Sequence, residues 1–306
     1  MINSSKFKFY LMLLGELILA PWKYIENEIR WNYGSSSSRE NVKKQRIPVL
    51  NNRLAVCIHE WGGYEEKRKK RIININEFEC GLYYQLLRFR NYAGSREIDV
   101  TLTVSESFLM QKKVENIKIM NVSNVGMDFS GYEQFYESIK DEANQYVILT
   151  NTSVNKKQVD FIDDYLDYFE QNASIGLLGV SVSSKIYQSL IRNNFNPHLQ
   201  SFFLLTTTNV LKEIVEKNNR FPGKGITDKS MLIRMGEVQL SRVAMELGYQ
   251  LACILEDGTP FLFDKAHFKD NGHNSWTIPF GDYRLSVKNP NAINPISREY
   301  RPRISG

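Results

Sequence analysis

From Arg53 onward the chain alternates short, continuously apolar runs with longer segments of helical period, and few architectures accept that pattern. Residues 54–59 (LAVCIH), 98–104 (IDVTLTV), 117–122, 146–149 and 174–182 (SIGLLGVSV) have the length and content of buried strands. Between them, residues 77–92 carry Phe78, Leu82, Leu86 and Phe89 at helical spacing, and residues 130–143 put Phe135, Ile139 and Ala143 on one face. A further helix is expected over 157–171. Strands that alternate with helices imply a mostly parallel sheet covered on both faces, which is an α/β fold.

The second half continues less regularly. Residues 198–205 (HLQSFFLL) are apolar enough to lie in the sheet, helices are expected over 209–218 and 236–248, and 249–255 reads as a last strand. Residues 220–225 form a turn around FPGKG. Beyond Asp257 the chain is polar and loop-rich, so it should fold over the open edge of the sheet rather than extend it.

The N-terminal residues 6–22 (KFKFYLMLLGELILAPW) form an apolar run too short to span a bilayer, which takes roughly 20 apolar residues. Glu16 interrupts the run and Pro21 follows Ala20 where a leader would be cut, which argues against a cleaved signal. Two readings stand. One is an interfacial helix, with Trp22, Tyr24 and Trp31 at headgroup depth and Lys6, Lys8 and Lys23 meeting anionic lipid. That reading makes the protein cytoplasmic, with a peripheral contact through 6–31 on the inner face of the membrane. The other is a helix packed on the body of the same protein. Residues 34–46 (GSSSSRENVKKQR) read as a linker, so the chain divides into a helical segment over 1–33, a linker over 34–46 and a body over 47–306.

A formal charge of +5 over 306 residues suits an anionic partner such as a nucleotide or a phospholipid surface. The basic runs at 67–71 and 298–303 read as solvated faces. No nucleic-acid motif accompanies them, so no nucleic-acid partner is expected. Cys57, Cys80 and Cys253 form no CxxC and sit in apolar segments, as reduced core thiols of a cytosolic protein do.

Three places can hold chemistry. In 126–132 (GMDFSGY), Asp128 or Ser130 is either a helix N-cap or part of a helix start that receives an anion, with Asp128 on a sugar hydroxyl. Thr150, Asn151, Thr152 and Ser153 end a strand, where ligands of α/β folds gather, although they also suit a turn. In 236–251 (GEVQLSRVAMELGYQL), Glu237 is a carboxylate at a helix start.

Leu240, Ser241, Arg242, Gly248 and Tyr249 resemble, in order, a pattern of inverting GT-A glycosyltransferases: an acidic pair, two residues, Leu-Ser, a basic residue, and Gly-Tyr entering a strand. In that register Glu237 falls where the family has its catalytic aspartate, and Gly236 replaces the preceding acid. Over roughly residues 54–256, the segments NVGMDFSGY, YVILTNTS, HLQSFFLL and GEVQLS also resemble the rhamnan synthesis F family of bacterial sugar transferases.

The resemblance implies a GT-A-like, Rossmann-like domain: a mostly parallel sheet flanked by helices, with an N-terminal helical extension. It implies a hexosyl or deoxyhexosyl transferase that moves sugar from a nucleotide-sugar donor to a glycan or lipid-linked acceptor during assembly of capsule or lipopolysaccharide. Glu237 would be the base of an inverting reaction. Asp128, Asn151, Thr152 and Ser153 would line the donor pocket, His198, Gln200 and Ser201 would meet acceptor or sugar, and Arg242 and His267 would meet phosphate. Where the family has a metal-binding Asp-x-Asp, this chain has Thr150-Asn151-Thr152, and neutral oxygens and amides suit Mg²⁺ or Mn²⁺ poorly. No metal ligand is therefore assigned, and metal dependence should be weak. Asp264, His267, Asp270 and His273 recur every three residues in the tail, as a hydrated loop or a late metal site. The departures at Gly236 and 151–153 keep a second reading open, a non-catalytic GT-A-like scaffold of a polysaccharide assembly complex.

Overall fold

The computed structural model describes residues 4–33, 44–71, 77–110, 114, 117–186, 188–191, 194–263 and 291–300. A long helix, α1 (Ser4–Tyr33), is followed by β1 (Arg53–Glu60), the hairpin β2 (Arg68–Lys70) and β3 (Phe78–Cys80), α2 (Leu82–Arg90), β4 (Glu97–Val104) and β5 (Lys118–Asn121). Next come α3 (Asp128–Ile139), β6 (Tyr146–Asn151), α4 (Ile162–Gln171) and β7 (Ile175–Gly179). The pair β8 (Val182–Lys185) and β9 (Phe195–Leu199) leads into β10 (Phe203–Thr207) and α5 (Thr208–Asn218). A helical stretch then passes through α6 (Lys229–Leu232), a π-helical turn (Ile233–Val238) and α7 (Gln239–Glu246) before β11 (Gln250–Ile254) and β12 (Pro260–Phe263).

Eight strands form one mostly parallel sheet in the order β12-β11-β7-β10-β6-β1-β4-β5, with β10 and β12 running against the rest. Successive side chains of a strand point to opposite faces. Along β1, Ala55 and Cys57 therefore meet α3, α5 and α7 on one side, while Leu54, Val56 and Ile58 meet α2 and α4 on the other. Both faces are covered, which is why the strand reads as a continuous apolar run. The three cysteines are buried and free.

Several expectations need correction. The segment 77–92 is not one helix, because Phe78–Cys80 pairs with Arg68–Lys70 before α2 begins. Helix α4 starts at Ile162 rather than at 157. The apolar run 198–205 splits between β9 and β10 at a turn over 200–202, and the last long helix begins at Lys229 rather than at 236. The tail does extend the sheet: Leu251, Ala252, Cys253 and Ile254 pair with Phe263, Leu262, Phe261 and Pro260. Pro260 opens an edge strand, a place where its missing N–H is tolerated. Ala292, Ile293 and Ile296 are buried, the two isoleucines in the core beside α4. Residues 44–46 are not linker either. Arg46 is buried with its guanidinium 3.6 Å over the Phe169 ring, and Lys44 donates to Gly248 O at 3.1 Å.

Helix α1 packs on the body along one side. Ser5 Oγ accepts from Thr227 N at 3.2 Å, Phe9 and Met12 lie against the core, and Glu16 pairs with Arg234 in a contact where both side chains are nearly buried. Glu16 also accepts from Leu190 N at 2.8 Å.

Candidate functional site

The carboxyl ends of β1, β4 and β6 lie side by side, and β10, being reversed, begins at that same end. The reversal matters, because it delivers the turn before β10 to the place where the parallel strands stop. Thr150 Oγ1 and Asn151 N both donate to Phe202 O, at 2.9 and 3.2 Å, which fixes Ser201 next to Asn151. The Tyr132 hydroxyl, from α3, donates to Ser201 O at 2.8 Å.

Around that turn four of the expected site residues meet. Asn151 Nδ2 donates to Asp128 Oδ2 at 2.8 Å, and the Ser201 hydroxyl lies 2.9 Å from Glu237 Oε1 and 3.4 Å from Asp128 Oδ2. A hydroxyl has one proton to give, so it serves the nearer carboxylate and leaves two like charges close together. Asp128 is the first residue of α3, but neither it nor Ser130 caps the helix. The N-cap position is Met127, at φ 50°, and the Ser130 hydroxyl turns back to Val125 O. Glu237 stands in the π-helical turn, whose extra residue re-aims the side chains of a helix. The absence of an acid at Gly236 is steric: a Cβ there would lie 2.9 Å from the Phe129 ring.

The other expected residues are placed differently. Thr152 is buried against Glu60, and Ser153 N donates to Asn151 Oδ1 at 2.9 Å, closing the turn after β6. His198 Nδ1 lies 2.7 Å from Asn196 O within the β8–β9 pair, and Gln200 accepts from Ser181 Oγ at 2.6 Å. Both brace the approach to Ser201. Arg242, expected as a phosphate ligand, is half exposed and engages Gln239 and Glu246 of its own helix. Asp264, His267, Asp270 and His273 lie outside the described residues.

Five contributors were missed. His59 and Glu60 end β1, and two polar residues at the close of an apolar run were the signal for them. His59 is buried between Thr103 Oγ1 at 3.1 Å and Ser105 Oγ at 3.4 Å. Burial lowers its imidazole to about 4 against the pull of Asp128, so it is neutral near pH 7. Helix α3 can approach this closely only through Gly131, where a Cβ would fall 2.2 Å from His59 Nδ1. Glu60 is buried and its carboxyl is raised by that burial, with hydrogen bonds from Thr152 and the Gly62 N–H opposing the rise. Its Oε2 has no hydrogen-bond partner among the described residues. It lines a cavity of about 260 Å³ together with Tyr64, Leu82 and Met110.

The remaining three are the cations Lys70, Arg68 and Lys229. Lys70, at the end of β2, is half-buried, and burial and the nearby charges of Arg68 and Lys229 lower its ammonium while Cys80 and Asp128 work the other way. Arg68 lies 3.9 Å over the Tyr64 ring with its Nε unpartnered. The run at 67–71 is therefore not simply a solvated face, because Lys70 and Arg68 are partly buried and Lys70 feels the charge of Asp128. Among the described residues no three His, Cys, Asp or Glu side chains cluster to hold a metal ion.

No family model matches the sequence, and no curated protein does. Among solved structures the chain is similar in part to the bifunctional IspDF from Campylobacter jejuni, at 13% identity and a TM-score of 0.34. The match covers 60% of this chain and 47% of that one, so it spans about half the length of that protein.

Proposed function

We propose that the chain is a GT-A-type inverting sugar transferase, taking sugar from a nucleotide-sugar donor to a glycan or lipid-linked acceptor. The observation that carries this reading is the placement of Glu237 within hydrogen-bond reach of Ser201, beside Asp128 and Asn151, where β1 and β6 end. Those residues are far apart in the sequence. Asp128, Asn151 and Glu237 were marked by their local patterns and Ser201 by the resemblance, and they converge on one turn.

In this reading Glu237 takes the proton of the acceptor hydroxyl while that oxygen bonds to the anomeric carbon and the bond to the nucleoside diphosphate breaks. The departing diphosphate gains charge. Arg68, Lys70 and Lys229 are the groups to neutralise it, in place of a cation held by paired carboxylates. Asp128 and Asn151 hold donor hydroxyls, and the unpartnered Oε2 of Glu60 accepts from a hydroxyl of a nucleoside in the adjoining cavity.

The test is Glu237→Gln, assayed for transfer against a panel of nucleotide sugars and acceptors. Transfer should fall by at least about a hundredfold, with the melting temperature and calorimetric nucleotide affinity unchanged. Full activity in that variant removes the base assignment. A wild-type chain that binds nucleotide sugar and transfers nothing favours the scaffold reading, and turnover that EDTA abolishes and Mn²⁺ restores contradicts neutralisation by side chains.

A further inference from the structure

Helix α1 has two unlike sides. The inner side holds Ser5, Phe9, Met12 and Glu16 against the body. On the outer side Phe7, Leu11, Leu14, Ile18, Trp22 and Ile25 follow one another at helical spacing and are 51% to 76% exposed. At 1.5 Å per residue this stripe is about 27 Å long, and contiguous exposed apolar surface of that size marks an interaction site.

Its occupant is indicated by the charges around it. Between residues 4 and 25 the helix carries Lys6, Lys8 and Lys23 and one carboxylate, Glu16. Glu16 is withdrawn into the body by Arg234, and Lys23 is paired with Glu26 further along the helix, so the charge beside the first half of the apolar stripe is that of Lys6 and Lys8. Tyr10, Trp22 and Tyr24 are exposed along the same helix, and these are the side chains that sit at the boundary of lipid and water. No described helix is long and apolar enough to cross a membrane.

We propose that the outer face of α1 docks the protein in the plane of an anionic phospholipid surface. The opposite side of the same helix holds Arg234, which belongs to the π-helical turn of Glu237, so one helix lies between the docked face and the element that carries that carboxylate. Docking does not depend on the transferase reading.

The experiment is co-sedimentation of the full chain with phosphatidylcholine vesicles that contain or lack phosphatidylglycerol, which needs no catalytic activity. Wild type should bind the anionic vesicles and release as salt is raised. The double variant Ile18→Glu/Trp22→Glu should lose about a hundredfold in partitioning, given the apolar area each side chain would bury. Its melting temperature should not change, since both side chains are exposed. Lys6→Glu/Lys8→Glu should weaken binding to anionic vesicles only. Absence of wild-type binding, or binding that Ile18→Glu/Trp22→Glu leaves intact, overturns the proposal. So does a chain that ignores vesicles and changes oligomeric state in that variant, an outcome that assigns the face to a second copy.

Discussion

The two ends of the central sheet both combine a cavity with charged side chains, yet they are built on opposite principles. At the amino ends of β1 and β6 a cavity of about 440 Å³ is lined by Arg46, Arg96, Tyr146 and Glu170. There Arg96 meets Glu170 at 2.9 Å, Asp167 at 3.1 Å and Asp163 at 3.8 Å, so one cation ties together three carboxylates along α4. At the carboxyl ends the cavity is smaller, but the carboxyl groups of Asp128 and Glu237 flank one hydroxyl, and a buried Glu60 oxygen has no hydrogen-bond partner among the described residues. Matched charge holds elements together, whereas a buried acceptor left without a donor suits a ligand that brings one.

The sharpest way to break this contrast is to exchange its outcomes. Glu237→Gln should remove transfer and leave folding intact, and a large loss of stability in that variant would place the carboxyl end among the structural ones. A second effect, on the order of 3 kcal/mol, concerns His59. Its folded value near 4 is below the ordinary 6.5, so the unfolded chain binds the extra proton between those values. Stability therefore holds above about pH 6.5 and falls as pH drops toward 4. Urea denaturation across that window should show the slope, and His59→Gln should flatten it. Glu60, raised by burial, works in the other direction, losing stability as pH rises through its own titration, and it will blunt the observed slope.

At the opposite end Arg96→Gln should cost about 1 kcal/mol, because its partner carboxylates are 39% to 45% exposed and water already screens them. Activity per folded molecule should not change, and a loss of transfer without a loss of stability would move function to that end. The smallest effect is expected at Arg242→Ala, within about 0.5 kcal/mol in stability and with unaltered donor KM. A raised KM there would restore it as a phosphate ligand.

The sequence made the strands of the sheet centre legible because β1, β6, β7 and β11 are buried on both faces and their apolar runs are nearly unbroken, while β4 shows the alternation of a strand whose first half is exposed on one face. The β2–β3 pair was not legible, since Arg68–Lys70 is charged and pairs with Phe78–Cys80 several residues further on. Asp128, Asn151 and Glu237 were each marked by a local pattern, and Ser201 only by the resemblance. Their convergence depends on the reversed direction of β10, which no local pattern encodes. Lys70 was hidden inside KRKKR, where nothing separates the residue that turns inward from its solvated neighbours. The π-helical turn was equally silent, because the run through 229–246 has the apolar content of an ordinary helix.

The Glu16–Arg234 pair ties the N-terminal helix to the turn that carries Glu237. A fragment trimmed to begin at residue 47 would take the carboxylate away from Arg234, leave its guanidinium donating to Gln188 O, and open one flank of that turn to water. Truncation would therefore reshape the surroundings of Glu237 without touching it, and under the transferase proposal a folded fragment with weakened transfer would be its signature.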